Sequence, residues 1–175
     1  MHNFKQYLEE GRDAPLYHGT TVESVGYILK QNILKPGEQL WINDDKYKYV
    51  SSFTRSERYA YEFATEHWQE SLDGIVVFKV DQRKIAQRHK IGPASWLFAD
   101  MGEDRGTRPD GWINQSEERV VGTIRKFSQY ILSMNVKDYK RTLKYVEKNK
   151  WLKEPELFLK HPLLYDVKTK KWVNK

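Results

Sequence analysis

The chain has 175 residues, of which 39% are apolar and 14% aromatic, and these values predict one folded domain rather than a disordered chain. It contains no cysteine, which excludes disulfides, thiolate catalysis and cysteine-based zinc sites, and its five histidines lack metal-binding spacing. No apolar run is long enough to span a membrane or serve as a signal peptide. We therefore expect a cytoplasmic protein with no metal and no membrane contact.

The net charge of +6 is unevenly distributed along the chain. Residues 124–175 carry 14 Lys or Arg and 5 Asp or Glu, a net charge of +9, which leaves the first 123 residues at −3. A basic surface attracts polyanions because binding releases their counterions. This C-terminal segment is therefore a candidate for polyanion contact, and the alternative is a solvated, lysine-rich helix.

The first elements of the chain are predicted to be a short helix, a strand and a second helix. Residues 2–10 have the apolar spacing of a short helix, and Leu16–His18 has the character of a strand. Thr20 and Glu23 have the spacing of a capping box, which predicts that a helix begins there. Pro36-Gly37 is expected to end this segment.

The same order of strand and helix is predicted a second time. Leu40–Ile42 and Tyr49–Phe53 have strand character, and Thr54 and Glu57 repeat the spacing of a capping box. The helix that follows is expected to pack one stripe inward, formed by Tyr59, Ala60, Phe63, Ala64 and His67.

The rest of the chain is predicted to contain strands, a long loop and a basic helix. The expected elements are a buried strand at Ile75–Val80, a loop at 92–115, strands at Arg119–Val121 and Tyr130–Val136, a helix at 137–150 and a hairpin at 163–173. Because regular βαβ alternation is missing, the pattern indicates an α+β fold. The glycine patterns of Rossmann and P-loop nucleotide sites are absent from the sequence.

Two short segments in the first half could contact a nucleotide. His18 ends a strand and could bond a ribose hydroxyl, while Gly19 would permit close approach by a flat ring. Ser51, Ser52 and Arg55 lie where a strand meets a helix N-terminus, a place that favours phosphate. The structural alternatives are a histidine satisfied at a strand end and a solvated arginine.

Two carboxylates enter an apolar strand at Glu117 and Glu118. A carboxylate there could stabilise an oxocarbenium-like ribose as nicotinamide departs, as carboxylates do at glycosidic bonds. Because neighbouring strand residues point to opposite faces, only one of the two can face the site.

The order of these three segments resembles the ADP-ribosyltransferase superfamily, and the wording of the motifs is similar to its small stand-alone phage and bacterial members. The motifs are Tyr-His-Gly-Thr at 17–20, Ser-Phe-Thr-Arg at 52–55 and Ser-Glu-Glu-Arg-Val at 116–120. The resemblance implies a split β-sheet core with flanking helices, which binds NAD within residues 1–135. Residues 136–175 would form a basic helical extension packed on the same domain.

The resemblance also implies roles for individual residues. His18 would bind the adenosine-side ribose, the Gly19 backbone the nicotinamide amide, and Arg55 the pyrophosphate. Glu118 is the first choice for the catalytic acid and Glu117 the second. The remaining expected cofactor contacts are Thr20, Ser51 or Ser52 near the nicotinamide, and a stacking ring from Tyr27, Tyr47 or Tyr49. The loop at 96–114 lies where the family recognises its target.

The implied activity is mono-ADP-ribosyl transfer from NAD to a protein or nucleic acid. Two alternatives remain at this point. An RNA 2'-phosphotransferase would also use NAD and a His-Gly strand but would need several arginines around a second phosphate. A non-catalytic protein that binds nucleic acid, or inhibits a partner, would use the basic segment with Tyr139, Tyr145 and Trp151 and would be indifferent to NAD.

Overall fold

The computed structural model describes residues 14–38, 49–93 and 117–175. The strands in these ranges are β1 Leu16–Thr21, β2 Ile33–Leu34, β3 Gly37–Glu38, β4 Tyr49–Thr54, β5 Ile75–Val80, β6 Ile91–Pro93, β7 Glu117–Val121, β8 Ile124–Arg125, β9 Ile131–Val136, β10 Leu164–Asp166 and β11 Lys171–Trp172. The α-helices are α1 Val22–Gln31, α2 Glu57–Trp68, α3 Gln82–Ala86, α4 Tyr139–Lys148 and α5 Pro155–Leu159, and 3-10 turns occupy Leu72–Gly74 and Phe127–Tyr130.

Several elements were expected correctly, and others fall elsewhere. The strands at 16–18, 49–53, 75–80 and 119–121, the basic helix and the C-terminal hairpin are all present. The helix expected at 2–10, the strand expected at 40–42 and most of the loop expected at 92–115 lie outside the described residues. Helices α3 and α5 and the small β2–β8 sheet were not predicted, because each is too short to produce a clear apolar period.

The main sheet opens into two halves between β1 and β4. Its order is β11-β10-β9-β5-β1-β4-β7-β6, with β3 paired to β4. β1 pairs with β5 at every residue from Leu16 to Thr21, but its pairing with β4 is confined to Tyr17 and Thr54. The split α+β sheet expected from the resemblance is therefore present.

Both helices that flank the split begin later than their capping boxes predicted. Helix α1 is capped by Thr21, whose hydroxyl accepts from the Ser24 amide, and not by Thr20. Helix α2 is capped by Ser56, whose hydroxyl accepts from the Tyr59 amide. Thr54 instead remains in β4 as its last residue. In each segment two or more hydroxyl residues lie close together, and spacing alone does not choose between them.

The inward stripe of α2 was predicted correctly at Ala60 and Ala64 and wrongly at its three rings. Ala60, Tyr61 and Ala64 are the buried residues of this helix, and they pack with Ile75 and Val77 on β5. Of the predicted stripe, Tyr59 and Phe63 are only half-buried and His67 is exposed. The three rings therefore face away from the core that the prediction assigned to them.

Residues 136–175 extend the sheet and support the first helix. β10 pairs in parallel with β9, and β11 pairs antiparallel with β10. Helix α5 packs against α1, where the carbonyl of Lys153 lies near Gly26 and Lys30 forms an ion pair of 2.7 Å with Glu154. The C-terminal segment therefore backs one of the helices that border the split.

Among the described residues, no helix is both long and apolar enough to cross a lipid bilayer.

Candidate active site

A cleft of about 560 Å³ occupies the split between β1 and β4. Its wall consists of residues 17–20 of β1, residues 50–54 of β4, the segment 33–37 and one face each of α1 and α2. This volume lies within the range of about 300 to 1,000 Å³ that is typical of small-molecule and cofactor sites. Strand separation creates the cleft, because the backbones that would pair in a continuous sheet diverge after Tyr17.

His18 lies in the cleft wall with its tautomer fixed by the backbone. Its Nδ1 lies 2.8 Å from the carbonyl oxygen of Ser52, which can only accept, so Nδ1 carries the proton. Burial lowers the pKa of His18, although the hydrogen bond to Ser52 opposes this change. The neutral ring therefore has an unprotonated Nε2, which can accept a hydrogen bond from a ligand hydroxyl.

Gly19 is required for the packing of α2 against β1. A Cβ at this position would lie 2.2 Å from the carbonyl oxygen of Ala60 and 2.8 Å from the Ala64 side chain. The space that a side chain would fill is thus occupied by α2. Sequence reasoning explained this glycine by the approach of a flat ring, whereas the structure gives a helix contact as a physical reason.

The neighbouring polar residues are also brought to the cleft. Thr20, Ser51 and Ser52 all line it, and Thr20 and Ser51 are buried. The Ser51 hydroxyl has no hydrogen-bond partner within the described part of the protein. Because an unsatisfied buried hydroxyl costs free energy, a partner supplied by a ligand is a physical explanation for it.

Glu118 lies beside the cleft in an ion pair. It is buried on β7 directly across from Phe53, whose ring lines the cleft and is 5.3 Å from the His18 ring. Both Arg55 Nε, at 2.9 Å, and Arg55 Nη2, at 2.8 Å, contact Glu118 Oε1. Glu117 is one residue along β7 and pairs with Thr54.

The structure does not bring every expected residue into the cleft wall. Among the described residues, the wall omits Arg55, Glu118 and Tyr49. Arg55 was expected at a pyrophosphate, but its guanidinium contacts Glu118. Of the proposed stacking rings, Tyr49 is exposed at the far end of β4, Tyr27 lines the cleft, and Tyr47 lies outside the described residues.

Sequence reasoning did not assign the row of rings along α2 to the cleft. Tyr59, Phe63, His67 and Trp68 line the cleft, and the Phe63 and His67 rings are stacked with centroids 5.5 Å apart. The Trp68 ring meets His67 edge-on at 4.8 Å. The period had identified the first three as one stripe of the helix, but period alone does not show whether a stripe faces a core or a cleft.

Comparison with known proteins identifies the fold. No protein-family model and no curated protein sequence matches this chain. The solved structures of Thermus sp. 2.9 DarT in complex with NAD+ and in complex with carba-NAD+ are similar to it, each with a TM-score of 0.51. The chain has the ADP-ribosyltransferase fold. Each alignment covers 91% of this chain and 98% of the DarT chain at 13% sequence identity, so the likeness is one of fold.

Proposed function

We propose that this protein is an NAD-dependent mono-ADP-ribosyltransferase, which transfers ADP-ribose to a macromolecular acceptor and releases nicotinamide. One observation carries the proposal: the cleft at the split contains His18 with an unprotonated Nε2, in a fold shared with a protein solved in complex with NAD+. NAD is a co-substrate in this reaction, and no metal takes part in the proposed chemistry.

His18 and its neighbours bind the two ends of the dinucleotide. The Nε2 of His18 accepts a hydrogen bond from the adenosine-side ribose, and the Gly19 backbone contacts the nicotinamide amide. Thr20, Ser51 and Ser52 complete this polar wall, and the unsatisfied Ser51 hydroxyl is the group with most to gain from a ligand. Tyr27 supplies a ring face at the opposite wall.

Glu118 carries the electrostatic part of the chemistry. As the bond between nicotinamide and ribose breaks, its electron pair leaves with nicotinamide and positive charge develops on the ribose. A buried carboxylate at the edge of the cleft stabilises that charge, which exists mainly in the transition state. The acceptor then attacks the ribose C1′ carbon and loses its proton. Arg55 holds the carboxylate in place through two contacts.

The acceptor is a protein or a nucleic acid, and the basic segment is its docking surface. Lys140, Lys144 and Lys148 are exposed and follow one another at single-turn intervals along α4. Arg141 has a structural role instead, because its Nε forms an ion pair of 3.1 Å with Asp73 Oδ1. Three lysines on one face can contact successive phosphates or acidic side chains.

The test uses isotope-labelled NAD+ and a whole-cell lysate, followed by separate protein and nucleic-acid fractions. Wild-type protein should leave labelled ADP-ribose on one fraction, Glu118→Gln should leave almost none, and Glu117→Gln is the matched control. Replacing Lys140, Lys144 and Lys148 with Gln should reduce labelling. If the acceptor is a nucleic acid, the slope of log binding constant against log salt concentration should also become shallower by about 0.7 to 0.9 per lost phosphate contact. Arg141→Gln should leave that slope unchanged.

Other outcomes would identify the alternatives. Transfer of a 2'-phosphate from RNA to NAD+ without labelled macromolecule would indicate the phosphotransferase, although the described wall of the cleft contains no arginine for a second phosphate. Binding of nucleic acid with complete indifference to NAD+ would indicate the non-catalytic protein and would contradict the proposal.

A further inference from the structure

We infer that Lys35, positioned by Tyr27, binds the pyrophosphate of NAD, an inference that rests on the proposed NAD site. Lys35 lies between β2 and β3 and is exposed at the cleft wall. Its Nζ donates a hydrogen bond of 3.2 Å to the Tyr27 hydroxyl and lies 5.5 Å from the centroid of that ring.

The charge of the ligand favours a cleft that offers a cation or a free helix N-terminus. A pyrophosphate carries two negative charges, which proteins offset with arginine, lysine or a free helix N-terminus. Arg55 contacts Glu118 through Nε and Nη2 and does not line the cleft. Of the wall residues that the structure describes, Lys35 is the one lysine or arginine.

The helix N-termini beside the split do not replace this cation. Helix α1 begins with Thr21 as its cap and Glu23 in its first turn, and helix α2 begins with Ser56 and Glu57. A carboxylate in the first turn offsets the positive end of the helix dipole and repels a second anion. Among the residues that the structure describes, the positive charge in the cleft wall is therefore that of Lys35.

Tyr27 fixes where that charge lies. The hydrogen bond from Lys35 is the main reason that the pKa of Tyr27 is lowered. Both side chains are exposed and line the cleft, and their hydrogen bond places the ammonium group next to the ring. A ring and a cation placed side by side fit a flat base or nicotinamide joined to a phosphate.

The test measures the affinity of the full chain for ligands with and without phosphate. Titrations of NAD+, ADP-ribose and adenosine are compared for wild type, Lys35→Gln and Lys35→Arg. Lys30→Gln is the matched control, because Lys30 is an exposed lysine on α1 that pairs with Glu154 outside the cleft wall. Lys35→Gln should weaken NAD+ and ADP-ribose binding by about ten- to a hundredfold, as expected for a hydrogen bond to a charged group, and leave adenosine binding unchanged.

Lys35→Arg should recover most of the affinity, and Lys30→Gln should match wild type. Two results would overturn the inference while leaving the proposed function intact: equal NAD+ affinity in wild type and Lys35→Gln, or an equal loss of NAD+ and adenosine affinity. Failure of the wild-type protein itself to bind NAD+ would overturn the proposed function, and this inference with it.

Discussion

Strand β5 differs from the paired strands β4 and β7 in what it buries. On the β5 side, Ile75, Val76, Val77, Phe78 and Val80 have no exposed surface. On the β4 side, the strands bury polar groups, namely Ser51, Thr54, Glu118 and Arg119. Apolar burial stabilises a fold, whereas buried polar groups cost free energy unless they are well partnered. The comparison indicates that β5 mainly stabilises the protein, whereas β1, β4 and β7 carry the groups proposed for binding and chemistry.

The largest expected effect is at the boundary of the two halves. Gly19→Ala places a methyl group 2.2 Å from the Ala60 carbonyl, a backbone atom that cannot move aside cheaply. We expect a loss of more than about 4 kcal/mol in the free energy of unfolding, or no folded protein. Urea unfolding measures it. Gly37→Ala is the control, because no heavy atom lies within 4 Å of its Cβ position, and an equal loss there would refute the packing argument.

The second effect is on catalysis in the β4 half. Glu118→Gln keeps the shape of the side chain but removes its charge, and losing such stabilisation lowers turnover by about 10² to 10³. Affinity for NAD+ should change little, because the stabilised charge develops in the transition state. Single-turnover transfer and NAD+ titration separate the two quantities. If Glu117→Gln has low turnover and Glu118→Gln has normal turnover, Glu117 is the catalytic residue instead. Full activity in both variants would show that neither glutamate has this role.

The third effect concerns β5 and should be a change in the free energy of unfolding alone. Val77→Ala removes two methyl groups from a fully buried site, and we expect a cost of about 2 to 3 kcal/mol. The affinity for NAD+ of the molecules that remain folded should equal that of wild type. A specific loss of affinity at temperatures where the variant is fully folded would show that β5 also contributes to ligand binding.

The fourth effect is a pH dependence that originates in His18. Its pKa is lowered in the folded protein, so Nε2 stays unprotonated through the ordinary histidine range near about 6.5. NAD+ affinity should be flat at neutral pH and fall only when acid protonates Nε2 of the folded protein. Stability should also fall, starting below the unfolded pKa, because the unfolded chain takes up the proton first.

His18→Asn should remove the acid-dependent loss of affinity, and His67→Asn should keep it, because His67 also lines the cleft but lies on α2. The measurement is NAD+ titration at several pH values. If His67→Asn loses the pH dependence of NAD+ affinity, then His67 and not His18 is its origin.

The smallest effect has the opposite sign to that of Val77→Ala. Ser51→Ala removes a buried hydroxyl that has no hydrogen-bond partner among the described residues. We expect the free energy of unfolding of the protein without ligand to increase by up to about 1 kcal/mol. NAD+ affinity should decrease by a small factor. Thermal unfolding with and without NAD+ measures both changes, and a loss of stability without ligand would contradict the assignment.

The sequence predicted the strands better than the helices because strand signals are local. Ile75–Val80 is a continuous apolar run between polar residues, and this pattern alone identified β5. The first residues of α1 and α2 were displaced because the true caps, Thr21 and Ser56, have hydroxyl neighbours close in sequence.

The site was predicted in part because its contacts are not local. His18, Gly19, Thr20, Ser51 and Ser52 were singled out by motif, and the structure brings them to one cleft. The pairing of Arg55 with Glu118 joins residues 63 positions apart, so no spacing rule could predict it. The buried face of α2 is determined by Gly19, since only small residues such as Ala60 and Ala64 permit the close contact.

The packing of α5 on α1 also determines when the fold around the cleft can be completed during synthesis of the chain. Lys30 on α1 contacts Glu154, which is 124 residues later in the chain. Translation proceeds at about 5 to 20 residues per second, and contacts between distant segments form late in folding. A nascent chain would carry strands β1 to β9 while α1 still lacked the support of α5. The cleft would reach its final packing only after α5 had left the ribosome.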